Sequence, residues 1–199
     1  MTNWQSVEVP QLIKDNCVVN DKGMPIPYVV LEQDGVYHFK INDSRKEMDC
    51  LIHGKCTICG TKLQDDIWFI GGPGSAFHKH GAFNDAPVHK DCGVYALKVC
   101  PYLAYSRYMS KIDLEKLKSK LNNNVELINR TIDLDRVPLF GFIKAKSYKI
   151  SSSSNFLPDR PYLEIEYWND GKQLSDKEGV ENVKSHFHEK YNINHLIDL

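Results

Sequence analysis

The apolar pattern of the chain opens on turns rather than on a long element. Asp21-Lys22-Gly23, Met24-Pro25-Ile26-Pro27 and Asp34-Gly35 all carry turn chemistry. Two short β-rich runs, residues 28–31 and 36–41, surround the Asp-Gly pair and predict a hairpin. Residues 43–50 follow as a short helix. From Cys92 to about Cys100, Val94 and Leu97 recur at helical spacing with Tyr95 and Val99 flanking, and Pro101 ends or kinks that helix. An aromatic run with Tyr102, Tyr105, Tyr108 and Met109 is helix-compatible, and residues 113–121 read as a Lys-rich amphipathic helix. Residues 139–150 alternate apolar and basic positions, which predicts one half-buried strand with a basic outer face. Residues 162–168 predict another strand, Asn169-Asp170-Gly171 a turn, and Ser175 with Glu178 a capping box opening a helix to about His188.

What changes this picture most is Cys56-Thr57-Ile58-Cys59-Gly60, answered thirty residues later by His89-Lys90-Asp91-Cys92 at the start of a helix. Zinc takes four borderline ligands in a tetrahedron. A CxxC turn ending in glycine sets two thiolates on one side, and an HxxC in a first helical turn supplies two more. The expected centre is one structural Zn2+ held by Cys56, Cys59, His89 and Cys92. Four protein ligands close the site, which makes the metal a structural part rather than a catalyst. A redox CxxC would open a helix inside a βαβ unit; here Gly60 and a strand-like run follow it instead. Cys100 stands two helical turns past Cys92, too far to share the ion, and reads with Cys17 and Cys50 as a buried thiol. The expected class is α+β: an N-terminal hairpin and a treble-clef zinc module in residues 1–125, packed against a small α+β lobe in residues 126–199.

Between the ligand pairs lies a Gly/His loop, residues 71–86. Its glycines suggest an anion cradle of backbone N–H groups, but the GKS or GKT ending of a phosphate loop is missing. His78, His80 and Asp85 are candidate functional residues there. The order His80, Asn84, His89 brings an HNH-type metal-dependent nuclease to mind, with spacings too short for that family's hairpin.

Composition narrows the class further. The chain has 199 residues, 42% of them hydrophobic, enough to bury a core without help from metal. It has no secretory signal pattern and no apolar run of membrane-spanning length, so a reducing, cytoplasmic location is expected. The formal charge of −1 hides an asymmetry: residues 98–149 carry eleven basic against five acidic side chains, and residues 150–199 five against nine. Lys116, Lys118, Lys120, Lys144, Lys146 and Lys149 are therefore candidate phosphate contacts for nucleic acid.

The Cys56-x-x-Cys-Gly run, Trp68-Phe-Ile-Gly-Gly-Pro, the stretch from Gly81 to Cys92, and Tyr95-Ala-Leu-Lys-Val-Cys-Pro-Tyr together resemble a family of uncharacterised bacterial and phage zinc-binding proteins. Gly23-Met-Pro-Ile-Pro-Tyr and Tyr167-Trp-Asn-Asp-Gly-Lys are similar to it too. The resemblance implies a zinc-binding motif and carries no catalytic residue. With no triad, no phosphate loop and no paired-carboxylate cleft, the expected function is non-enzymatic: a zinc-stabilised binding or regulatory protein engaging a protein partner, phage- or defence-related by resemblance. Nucleic-acid binding through residues 98–149 is the alternative, and the nuclease a second one.

Overall fold

The computed structural model describes residues 4–104, 137–152 and 155–199. The Asp-Gly turn forms the expected hairpin: β1 (Val30–Gln33) pairs antiparallel with β2 (Val36–Asn42). Asp34 and Gly35 both take positive φ, 53° and 77°, the conformation a two-residue hairpin turn demands. Preceding it is an unforeseen short helix, α1 (Gln11–Asn16), whose Ile13 is fully buried. α2 (Ser44–His53) starts where Asp43 accepts a hydrogen bond from the Arg45 amide and ends on left-handed Gly54.

The centre of the molecule is a four-stranded antiparallel sheet ordered β3-β4-β7-β8. Its strands are β3 (Trp68–Gly71), β4 (Phe140–Lys144), β7 (Glu164–Asn169) and β8 (Lys172–Gln173). Strand alternation splits it into two faces. Trp68, Phe142 and Trp168 point one way, onto α4 (Lys90–Val99) and the cysteine-rich segment. Phe69, Ile143 and Tyr167 point the other way, onto α3 (Pro73–Phe77) and the long C-terminal helix. As expected, α4 ends just before Pro101, at Val99 with Cys100 extended, and the proline opens a second short helix, α5 (Pro101–Ala104), as its fixed φ suits a first helical position.

Residues 139–150 are not one half-buried strand. β4 is buried on both faces, and the chain leaves the sheet at Ala145, itself fully buried. It then forms β5 (Tyr148–Ile150), which pairs with β6 (Phe156–Pro158) in a separate two-stranded sheet. An apolar-basic alternation cannot distinguish one strand from two that change sheets at a small residue. Asp170 and Gly171 make the β7–β8 turn with φ of 47° and 74°. The capping box then forms in full, with Ser175 and Glu178 bonding each other's backbone amides, and opens α6 (Asp176–Lys190).

Glycines set how near the helices lie. A β-carbon at Gly93 of α4 would overlap the Phe142 ring, and one at Gly179 of α6 would overlap Tyr167. One at Gly141 of β4 would stand 2.7 Å from Ala76 and Phe77 of α3. The boundary expected at residues 125/126 falls outside the described residues. On either side of it, β3 and β4 are neighbours in one sheet, in the register Trp68–Lys144 to Gly71–Gly141.

Candidate metal centre

The knuckle is shaped by its own backbone. The Gly60 amide donates to the Cys56 carbonyl at 2.8 Å and the Cys56 amide to the Thr61 carbonyl at 2.8 Å. Gly60 turns back at φ 73° against the Tyr28 ring, a position open to little else than glycine. The second pair arrives by a different route. Trp68 and Val88 exchange both backbone hydrogen bonds, at 3.0 and 2.8 Å, and deliver His89 to the N-cap of α4. Cys92 then lies in the first turn; hydrogen bonds with Cys56 and Cys59, then burial, push its thiol, taken as a free side chain, above the ordinary range. His89 turns its side chain to the cluster and so cannot cap the helix. Asp66 does so instead, one carboxylate oxygen accepting from the Lys90 amide at 2.9 Å and the other from the Trp68 indole at 2.8 Å.

Cys56, Cys59, His89 and Cys92 are all buried, and their donor atoms lie within 4.8 Å of one another. Such a group can hold one metal ion. Cys59 Sγ stands 3.3 Å from His89 Nδ1, close to the roughly 3.5 Å edge of a tetrahedron with ligand bonds of about 2.0–2.3 Å. The other ring nitrogen, Nε2, faces the Lys62 carbonyl at 3.0 Å. That contact fixes the tautomer that leaves Nδ1 free to ligate, the usual second partner of a metal-bound histidine. Taken as free side chains, four such groups share protons. Hydrogen bonds from Cys56 and Cys92 draw the Cys59 thiol far below its ordinary range. Hydrogen bonds to Cys56 and Cys59 hold His89 up at about 10. Both displacements record lone pairs converging on one point, which a cation satisfies in place of the protons.

All six cysteines are free. Cys17 donates to the Ile58 carbonyl at 3.2 Å and Cys50 reaches the Cys56 carbonyl at 3.9 Å. Burial pushes both thiols up to about 12, so they behave as packing groups against the knuckle. Of the three expected buried thiols only Cys50 is buried; Cys17 and Cys100, which caps the end of α4, are half-buried.

The other candidates separate. His78 is 9% exposed, beneath the C-terminal segment: its ring lies 5.1 Å from that of His195 and 6.2 Å from Phe187. Its Nδ1 accepts from the His80 amide at 3.0 Å. Burial, then the His195, His80 and Arg160 charges, lower its pKa from 6.5. His80 itself is exposed. Asp85 lies elsewhere, in a groove beside α2. Among the described residues, the one group able to hold a metal is the Cys/His set, so His78, His80 and Asp85 do not assemble into a second. His89 faces Cys59, which removes it from an HNH-type arrangement. The Gly/His loop is partly a helix: α3 occupies residues 73–77. Two of its glycines make room for packing, since a β-carbon on Gly71 would meet Phe83 and one on Gly72 would meet Val137.

Of the six lysines, Lys116, Lys118 and Lys120 lie outside the described residues. Lys144 is paired to Glu164 at 3.3 Å, in a network that Lys90 completes with bonds to Glu164 at 3.0 Å and Glu166 at 3.3 Å. Lys146 and Lys149 are exposed but belong to the connection and to β5, not to a face shared with Lys144. Among the described residues no helix is long and apolar enough to cross a membrane. Comparison with protein-family models, with curated proteins and with solved structures gave no match.

Proposed function

We propose that the chain is a zinc-stabilised binding protein without catalytic activity, built on a treble-clef module and engaging a protein partner in the cytoplasm. The observation that carries it is closure: four buried protein donors surround one point and leave no position for substrate or water. Three thiolates with one imidazole select zinc over the harder cations that prefer oxygen. The order of knuckle, Trp68–Val88 bridge and helix supports the treble-clef reading. Three thiolate ligands also require a reducing compartment to stay unpaired. Metal analysis of protein purified without added metal is expected to give one zinc per chain, lost in Cys92→Ser. Iron or no metal in the wild type would sink the zinc assignment, and turnover of a nucleotide or nucleic acid that disappears in His80→Ala would sink the non-catalytic one.

The nucleic-acid alternative keeps Lys146 and Lys149 as exposed cations among its described members. It requires binding that weakens steeply with salt. A flat titration with both duplex and single-stranded DNA at low salt removes it.

A further inference from the structure

The acidic side of the Gly/His loop faces α2 across a groove of about 340 Å³. Its lining mixes polar residues with an apolar strip: Val29 and Phe156 are buried, Leu51 is half-buried and Met48 is 51% exposed. Ile52, 65% exposed, stands one turn beyond Met48 and continues that face of α2. Two carboxylates, Glu47 and Asp85, line the same groove and are both open to solvent. The Asn42 amide holds Glu47 in place at 2.8 Å, and among the described residues no cation pairs with either acid. Asp85 is nevertheless hemmed in: surrounding protein and the Glu47 charge push its carboxyl above the ordinary range. Two like charges facing an apolar trough store repulsion that a cation bound between them relieves.

We propose that this groove seats an extended segment of a partner protein in which a lysine or arginine stands beside a large apolar residue. The apolar neighbour covers Met48, Leu51 and Phe156, and the cationic head sits between Glu47 and Asp85. A phosphate-bearing ligand is repelled by the same two acids. A bare metal ion has no use for an apolar floor, and these acids belong to no metal-holding group among the described residues. A long aliphatic stem ending in a charge matches both parts of the groove. The assignment rests on the protein-binding reading above and gives it an address and a chemistry.

The test is selection of a phage-displayed random heptapeptide library on the metal-loaded full chain, with a parallel selection on Glu47→Gln/Asp85→Asn. Enriched peptides are expected to carry Lys or Arg next to Leu, Ile, Met or Phe. The best of them should lose about tenfold or more in affinity on the double variant, and as much when its basic residue is replaced by citrulline or norleucine. Amide shifts on titration should centre on residues 47–51 and 84–86. Peptides that lack a basic residue, or that bind the double variant equally, overturn the groove while leaving a binding protein. Enrichment of nothing on either protein overturns both. Both acids are exposed, so the variant should fold; bound metal and circular dichroism check it, and the single variants replace it if it does not.

Discussion

The two faces of the central sheet are held by different physics. On one, Trp68, Phe142 and Trp168 meet Tyr95 and Leu97 of α4 together with Cys56, Cys59 and Cys92. On the other, Phe69, Ile143 and Tyr167 meet Phe77, Val183 and Phe187, all buried carbon from α3 and α6. The apolar face is stabilised in proportion to area removed from water, at about 25 cal/mol per Å². The cysteine face adds to its apolar area four convergent donors, which a bound metal ion would tie together. Residues 55–63 have no regular strand or helix and hold their shape by backbone hydrogen bonds such as Cys56 to Thr61, to which a shared metal ion would add.

Breaking the ligand set should therefore have the largest effect. Cys92→Ser is expected to abolish metal retention and lower Tm by about 10 °C or more, the shift that ~4 kcal/mol gives in a chain of this size. Chelation of the wild type should speed amide exchange in the knuckle and α4 before α6; uniform acceleration would show that the two faces do not differ. Phe187→Ala, at a fully buried ring, should cost about 3–4 kcal/mol while leaving metal stoichiometry unchanged in elemental analysis. A loss of metal in that variant would mean that the apolar face also holds the site. Gly179→Ala should cost about 1–3 kcal/mol by forcing α6 off Tyr167, read as a lowered urea midpoint with metal retained. The smallest effect is acid sensitivity on the apolar face. His78 has its pKa lowered from 6.5 in the folded chain, so on acidification the unfolded chain takes up this proton first. Its contribution is complete above 6.5 and is lost as pH falls through that value toward the folded-state one. The Tm of the wild type should drop more than that of His78→Phe between about pH 7.5 and about 5.5; parallel curves would clear His78 of the effect.

Local chemistry was legible in the sequence wherever a few adjacent residues decide the outcome. Asp34-Gly35 specifies its turn by the φ values it tolerates, and Ser175 with Glu178 specifies a helix start by reciprocal hydrogen bonds. The ligand pairs were legible because CxxC and HxxC each span one turn. What escaped was pairing over distance. Nothing near Trp68 announces that its strand will lie beside Phe142, because β3 is four residues long and buried on both faces, without alternation to read. The break at Ala145 depends on which sheet each half joins. Gly71-Gly72-Pro73-Gly74 reads as a breaker run, which hides α3 in the pattern. Yet proline suits the first helical position, and Gly141 beneath makes room for the turn. His78 is a candidate by residue type, and the C-terminal segment that covers it lies more than a hundred residues away, beyond any local pattern.

The position of β3 has a consequence for the order of events during synthesis. All four ligands precede the first residue of β4, so a chain emerging from the ribosome carries a complete metal set while β3 still lacks both its sheet partner and the helix that seals its far face. A metal ion captured then would fix Trp68 beside Val88 and point an unpaired strand edge outward as the template on which β4 and β7 are added. In that sequence a bound metal would act before the core exists, as the starting edge of the sheet rather than as a late staple on a finished one.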